Sequence, residues 1–277
     1  LIQIIEIGDY LLEGTFYRHS TFKNISNFIN SDKKLISISH KKKYLSPNSI
    51  IISENIHQKI NEIINKKYEI IINNERINKK NIKKYNSEIK IKKIDNFQHI
   101  YEEITDKIFL RLNKLKDESL VFLIDNESEH KFKSKFHTAY IEYIKFAWNE
   151  IKNGNLTEGI KKIKGSGKGL TPAGDDFICG MLYAINVIGQ LKKVDTLKLR
   201  NEIYKAAESN NDISRTMIYH ASVGAYFNKF KNFQFALFND QKKIDKYIDT
   251  LIKTGETSGS DMLTGYYLCL KYLNKLI

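Results

Sequence analysis

The chain has 277 residues, enough for one large domain or two modest ones with a core that needs no staples. Its two cysteines, Cys179 and Cys269, exclude a disulfide framework, a zinc knuckle and a thiolate-held iron–sulfur cluster built from this chain alone. A formal charge of +13 raises nucleic acid or a membrane surface as partners, but only Arg18, Arg76, Arg111, Arg200 and Arg215 are arginines, and no arginine stripe or stacked-aromatic box accompanies the lysines.

The expectation is therefore no nucleic acid and no membrane as partner, with the charge spread over a solvated surface. The lysine-rich block from Lys66 to Lys93 is best read as a strand edge kept soluble by charge. No apolar run approaches the ~20 residues that span a bilayer. Glu6 and Asp9 in the first ten residues do not suit a signal peptide, so a reducing cytoplasm is the expected location.

Short β-branched runs come first: Ile2 to Ile7, Leu35 to Ser39, Ile50 to Ser53, Tyr68 to Ile72 and Glu88 to Ile91, separated by Asn, Ser and Lys clusters. From Asn96 onward the apolar spacing becomes helical, as in Phe97, Ile100, Tyr101, Ile104, Ile108 and in Phe136, Tyr140, Tyr143, Ile144, Ala147. Further helices are expected over 155–163, 172–190, 195–208, 213–229, 241–253 and 258–275, with Ser119 to Ile124 open between strand and buried helix. The reading is an α+β protein: a small β-rich N-terminal domain over residues 1–95, then a mainly α-helical C-terminal domain over 96–277.

Eight of the 14 glycines fall in two windows of that helical domain. The first runs from Gly165 to Gly180 and opens Gly165-Ser166-Gly167-Lys168-Gly169-Leu170-Thr171-Pro172-Ala173-Gly174-Asp175-Asp176. Thr171-Pro172 has the form of an N-cap and first turn. A glycine loop feeding a helix start suits a phosphate or carboxylate, with Ser166, Gly167, Lys168, Gly169, Thr171 and Gly174 as candidate anion-binding residues. It is neither a Walker loop, since Gly169 follows Lys168, nor a dinucleotide fingerprint, since a helix precedes it.

The second window reads Gly255-Glu256-Thr257-Ser258-Gly259-Ser260-Asp261-Met262-Leu263-Thr264-Gly265, and adds Thr257, Ser258 and Gly259 to the candidate binding set. Both windows contain Gly-x-Thr-x-x-x-Asp, ending at Asp175 and Asp261, with Gly180 and Gly265 one turn on. The two loops read as one device used twice, each glycine allowing a second backbone to pack closely, and are expected to meet. Helix-dipole complementation accounts for any single first-turn aspartate, which should stay ionised there. Asp175, Asp176 and Asp261 as a group suit more: catalytic carboxylates that accept a substrate amide, or ligands of a divalent cation such as Mg²⁺.

A third segment, Asn210-Asn211-Asp212-Ile213-Ser214-Arg215, offers Asp212 as N-cap, with Ser214 and Arg215 as further anion-binding candidates. His137 and His220 read as ordinary hydrogen-bonded residues, and Cys179 as a buried inert thiol.

The run Gly167-Lys168-Gly169-Leu170-Thr171-Pro172-Ala173-Gly174-Asp175-Asp176-Phe177 followed by Gly180, together with Gly255 to Gly265, resembles the two hallmarks of the AllH-like family. The likeness is strongest over about residues 130–275, and Asn210 and Asn211 depart from the threonines expected before Ile213-Ser214. The resemblance implies a subunit of a multi-protein oxamate carbamoyltransferase in anaerobic allantoin breakdown. That enzyme interconverts oxalurate plus phosphate with oxamate plus carbamoyl phosphate, which makes other subunits and small carboxylate, amide and phosphate molecules the expected partners. Two other classes stay open: a stand-alone Mg²⁺-dependent hydrolase of an amide or phosphoester, and a non-catalytic scaffold subunit.

Overall fold

Isoleucine sets the character of the N-terminal half. A computed structural model describes residues 2–91, 97–115, 118–132 and 135–274. Its chain falls into two units, one of residues 1–88 with 225–231 and one of residues 89–224 with 232–277.

The first unit is a nine-stranded sheet of β1 (Ile4–Ile7), β2 (Gly14–Thr21), β3 (Ile25–Ile29), β4 (Leu35–Ser39), β5 (Ser49–Ile52), β6 (Glu62–Asn65), β7 (Glu69–Ile72), β8 (Glu75–Asn78) and β9 (Lys83–Lys84). The order is β8-β7-β6-β2-β3-β4-β5-β1-β9, antiparallel except for β1 with β9 and β4 with β5. Strands β6 and β7 alternate half-buried and buried residues, presenting Ile63, Ile70 and Ile72 to a core that also holds Phe16, Phe28, Ile36, Ile38, Ile50 and Ile52. Strands β4 and β5 are buried along their whole length, with Ser37, Ser39 and Ser49 enclosed along with the isoleucines. Segment 225–231 adds to this unit: Tyr85 donates its hydroxyl to the Tyr226 carbonyl at 2.9 Å, and Tyr226 N–H donates to Ser87 O at 3.0 Å. Both edge strands, β8 and β9, lie in the lysine-rich block, where charge deters further pairing.

Glu88 to Ile91 forms no strand. Its alternation half-buries Ile89 and Ile91, but no described strand lies beside it, and Ile91 N–H donates to the Gln190 side chain at 3.0 Å. The polar-rich β2 carried too little apolar alternation to be read.

The second unit carries the helices α1 (Phe97–Leu112), α2 (Lys135–Lys152), α3 (Leu156–Ile163), α4 (Ala173–Lys192), α5 (Leu197–Ala206) and α6 (Asp212–Ser222), most of α7 (Asn228–Asn239), then α8 (Ile244–Ile252) and α9 (Ser258–Leu268). The helix expected over 213–229 is two: α6 ends at Ser222, and Gly224 follows at φ 74°. Helix α9 passes into a π-turn over Cys269–Leu273, and Leu120–Leu123 is a 3-10 turn rather than a strand. Among the described residues no helix is long and apolar enough to cross a membrane.

Helices α4 and α9 form the centre of this unit. Each is buried almost continuously through its first three turns, which requires close neighbours on every side. A Cβ at Gly180 would lie 1.9 Å from the Met262 carbonyl oxygen, and one at Gly265 would lie 2.1 Å from that of Phe177. Each helix thus presses its backbone into the other's glycine. One turn earlier, a Cβ at Gly174 would meet the Ile163 carbonyl of α3 at 1.8 Å, and one at Gly259 the Leu251 carbonyl of α8 at 1.7 Å.

The helix starts, both glycine pairs and the pair Asp176 and Asp261 are all 85 residues apart. The repeat is Gly-x-Asp-x-x-x-Gly, which corrects the register read from the sequence: the counterpart of Asp261 is Asp176, not Asp175.

Replacing Gly180 or Gly265 by Ala should lower stability by about 2–3 kcal/mol or more, because overpacking against a backbone carbonyl outweighs the ~1 kcal/mol helix gain of Ala. Urea denaturation followed by circular dichroism checks this, and an unchanged or raised midpoint in both variants would refute the close crossing.

Candidate functional site: two loops, a buried carboxyl pair and a cavity

In the first loop, Gly165, Gly167 and Gly169 all have positive φ, a conformation that side chains other than glycine strain to adopt. The loop is tied at its base: Gly165 N–H donates to Asp175 Oδ1 at 2.7 Å, Ser166 N–H to Ile163 O at 3.2 Å, and Gly174 N–H to Ser166 O at 2.9 Å. Between these ties, the N–H groups of Gly167 through Thr171 make no hydrogen bond to any described residue. Their residues are exposed or half-buried, so solvent or a ligand can reach these donors.

Gly174 is therefore not one of those donors, and neither is Gly259, whose N–H goes to Thr254 O at 3.0 Å. Both were candidate binding residues, and both serve instead as packing points against a neighbouring helix. Thr171 does not cap α4 either. Pro172 holds that position, its carbonyl accepting from Asp175 and Asp176 N–H at 2.9 and 3.1 Å, while the Thr171 hydroxyl donates to Asp176 Oδ2 at 3.0 Å.

The second loop reaches the first at one contact, Thr171 Oγ1 to Ser258 Oγ at 3.0 Å. Asp261 is fully buried and its Oδ1 accepts from Leu120 N–H at 2.7 Å. Asp176 is 1% exposed, and its Oδ1 makes no hydrogen bond to described residues. Burial and the neighbouring Asp261 carboxylate raise the Asp176 pKa well above the usual carboxylate range, against the pull of the Ser258 and Thr171 hydroxyls. Both causes favour the protonated form of Asp176. That direction runs against the expectation that a first-turn carboxylate stays ionised, because desolvation and a second carboxylate outweigh the helix dipole.

Asp175 belongs to the loop base through Gly165. Among the described residues no group of three or more His, Cys, Asp or Glu side chains is placed to hold a metal ion, so Asp175, Asp176 and Asp261 do not gather as a ligand set. The buried Cys179 thiol has a pKa raised by burial and by Asp176 and Asp175, as suits an inert group.

The third segment touches the first loop through Asn211, whose side-chain N–H donates to Leu170 O at 2.8 Å. Asn211, not Asp212, is the N-cap of α6, accepting from Ile213 and Ser214 N–H at 3.0 and 3.1 Å. Arg215 forms an ion pair with Asp212, and Ser214 is buried, so neither lies on the cavity described next.

That cavity, about 770 Å³, is walled by both loops. Gly167, Lys168 and Ala173 come from the first, Glu256 and Thr257 from the second, and His137, Ala139, Tyr140 and Tyr143 from α2, with Glu118 and Phe132 completing it. Of the sequence candidates, Gly167, Lys168 and Thr257 lie on the wall. Asp176 and Asp261 are buried behind it. Tyr140 joins the two layers: burial and Asp261 push its phenol up to about 12, with the Ser166 hydroxyl opposing that rise.

Sequence reasoning missed the α2 wall because Tyr140 and Tyr143 fit an apolar stripe. The signal that marks them is the series His137, Tyr140, Tyr143, three polar-tipped side chains three residues apart on one helix.

A group whose folded pKa is raised favours folding while protonated and loses that stability as pH climbs from its unfolded value, near 3.8, toward the folded one. Asp176→Asn keeps the acceptor for Thr171 and removes the titration. Above pH 4 its stability advantage over the parent should grow with pH, by at most about 1.4 kcal/mol per unit. Urea unfolding between pH 5 and 8 checks this, and a parent that gains on the variant as pH rises would refute a protonated Asp176.

Two family profiles match the chain. Residues 163–270 match AllH, described as oxamate carbamoyltransferase subunit AllH, and residues 4–96 match the AllH family N-terminal domain. No curated protein and no solved structure matches it. The first profile spans both loops and the α4–α9 crossing, the second spans the nine-stranded sheet, and on the two together the chain belongs to the AllH family.

Proposed function

We propose that this chain is a subunit of a multi-protein carbamoyltransferase that interconverts oxalurate plus phosphate with oxamate plus carbamoyl phosphate, in anaerobic allantoin and purine degradation. Its partners are then the other subunits of that enzyme. The observation that carries the reading is the cavity walled by both family loops, with five unengaged N–H groups and Lys168 on the first of them. All four small molecules of the reaction carry carboxylate or phosphate oxygens, which such donors hold. The amide N–H groups of oxamate and oxalurate suit the carboxylates Glu118 and Glu256 on the same wall.

Asp176 and Asp261 act from behind the wall. Asp176 accepts the Thr171 hydroxyl, which in turn meets Ser258, and Asp261 accepts the Leu120 N–H, so each carboxyl ties down a segment beside the loops. Their role is to position the site rather than to touch the substrate.

A second reading, a non-catalytic subunit, has one observation in its favour: Gly174, Gly180, Gly259 and Gly265 are all accounted for by helix packing. Co-expression of the chain with its genomic neighbours, followed by assay of carbamoyl phosphate formed from oxalurate and phosphate, separates the two. Lys168→Met should leave the complex assembled and raise KM for phosphate about 10-fold or more, the worth of one charge-assisted hydrogen bond. Full activity with unchanged KM in this variant would favour the scaffold reading, and a complex without carbamoyl transfer would remove the proposal.

A further inference from the structure

The α2 wall of the cavity brings in a hydroxyl that neither the loops nor the family name accounts for. Tyr140 faces the same space as Gly167 and Lys168, one helical turn from His137, while Tyr143 on that wall is 47% exposed. Tyr140 is set deeper, beside Ser166 at the base of the first loop and next to the buried Asp261.

We propose that the Tyr140 hydroxyl is a side-chain hydrogen-bond donor that this cavity presents to a ligand's carboxylate or phosphate oxygen, alongside Lys168 and the open N–H groups of the first loop. The inference rests on the cavity being the ligand site of the function proposed above.

The direction of that bond follows from the surroundings. Asp261 spends Oδ1 on Leu120 N–H, and its charge acts on the phenol through space, so the phenol keeps its proton throughout the neutral range. Ser166 Oγ lies beside the phenol but makes no hydrogen bond among the described residues, so the phenol's proton is not committed to it. Lys168 supplies a mobile charge, whereas Tyr140 supplies a donor on a rigid ring held by helix and core, the kind of fixed group that orients an oxyanion. Tyr140 borders the cavity itself, where a ligand atom can reach it.

The test is calorimetric titration of the full chain in its complex with inorganic phosphate and, separately, with oxamate. Tyr140→Phe should weaken at least one of the two by about 10-fold or more, the worth of a hydrogen bond to a charged oxygen, and the probe affected tells phosphate from carboxylate. Tyr272→Phe, a control packed on Trp148 away from the cavity, should bind within about 2-fold of the parent. Equal binding by parent and Tyr140→Phe, or equal losses in both variants, overturns the assignment. Should Tyr140→Phe fail to fold, 3-fluorotyrosine placed at residue 140 gives a fluorine resonance that must shift on saturation with the probe; a resonance that stays put overturns it as well. A complex that transfers carbamoyl groups with Tyr140→Phe unimpaired in binding refutes Tyr140 alone. A chain that binds the probes through Tyr140 but supports no transfer refutes the transferase reading alone.

Discussion

The crossing of α4 and α9 is the constraint on which the helical unit depends. At Gly180 and Gly265 each backbone occupies the place of the other's missing side chain, so the two helices cross in close backbone contact just after their starts. Everything chemical in the unit follows from those starts. They carry Asp176 and Asp261, they set Thr171 against Ser258, and they aim both loops at one cavity. The second pair of contacts, Gly174 on Ile163 and Gly259 on Leu251, locks each start to the helix before it, so each loop is clamped at both ends.

Burying two carboxyls at such a crossing costs free energy, since isolated buried charge is disfavoured by several kcal/mol. The structure limits that cost by treating the two differently. Asp261 accepts the Leu120 N–H at 2.7 Å, while Asp176 accepts the Thr171 hydroxyl and is pushed toward its protonated form by burial and by Asp261. The upward shift lowers the charge that the crossing has to bury. A hydrophobic pair of equal size would pack the crossing more cheaply, which makes the retained carboxyl pair a matter of arranging the loops' hydroxyls and the cavity's electrostatics rather than of stability.

The parts of the fold that were legible in sequence are those dominated by local pattern. The isoleucine-rich runs of β4 and β5 and the apolar helical patterns of α3, α4 and α8 announce themselves, whereas β2, with Arg18, His19 and Ser20 in its middle, is held by its neighbours β3 and β6 instead. Helix α6 was overrun by seven residues because Gly224 was taken as a helical glycine and not as the left-handed residue after a helix end. At the site, glycine density located both loops and the family, and the close-approach role of Gly180 and Gly265 was readable. The register of the repeat was not. Thr171 and Thr257 align in sequence, yet one bonds a carboxyl and the other lines the cavity, and only the packing glycines reveal that Asp176 is the partner of Asp261. Tyr140 was hidden for a different reason: a tyrosine in an apolar stripe gives no hint of where its hydroxyl points.

The repeat is symmetric where it packs and asymmetric where it could bind. Between α3 and α4 the connecting loop covers residues 164–172, with three positive-φ glycines; between α8 and α9 it covers only 253–257, with one. The shorter loop is spent on its own closure, through Gly259 N–H to Thr254 O and Asp261 N–H to Thr257 O. The longer one closes its base in the same manner and still leaves the stretch from Gly167 to Thr171 without internal partners. An open row of backbone donors is unfavourable in a buried setting and neutral only when water or an anion occupies it. The extra length of the first loop also meets the N-cap of α6, through the Asn211 side chain on the Leu170 carbonyl at 2.8 Å, and its exposed residues let water reach the open donors, of which those of Gly167 and Lys168 border the cavity.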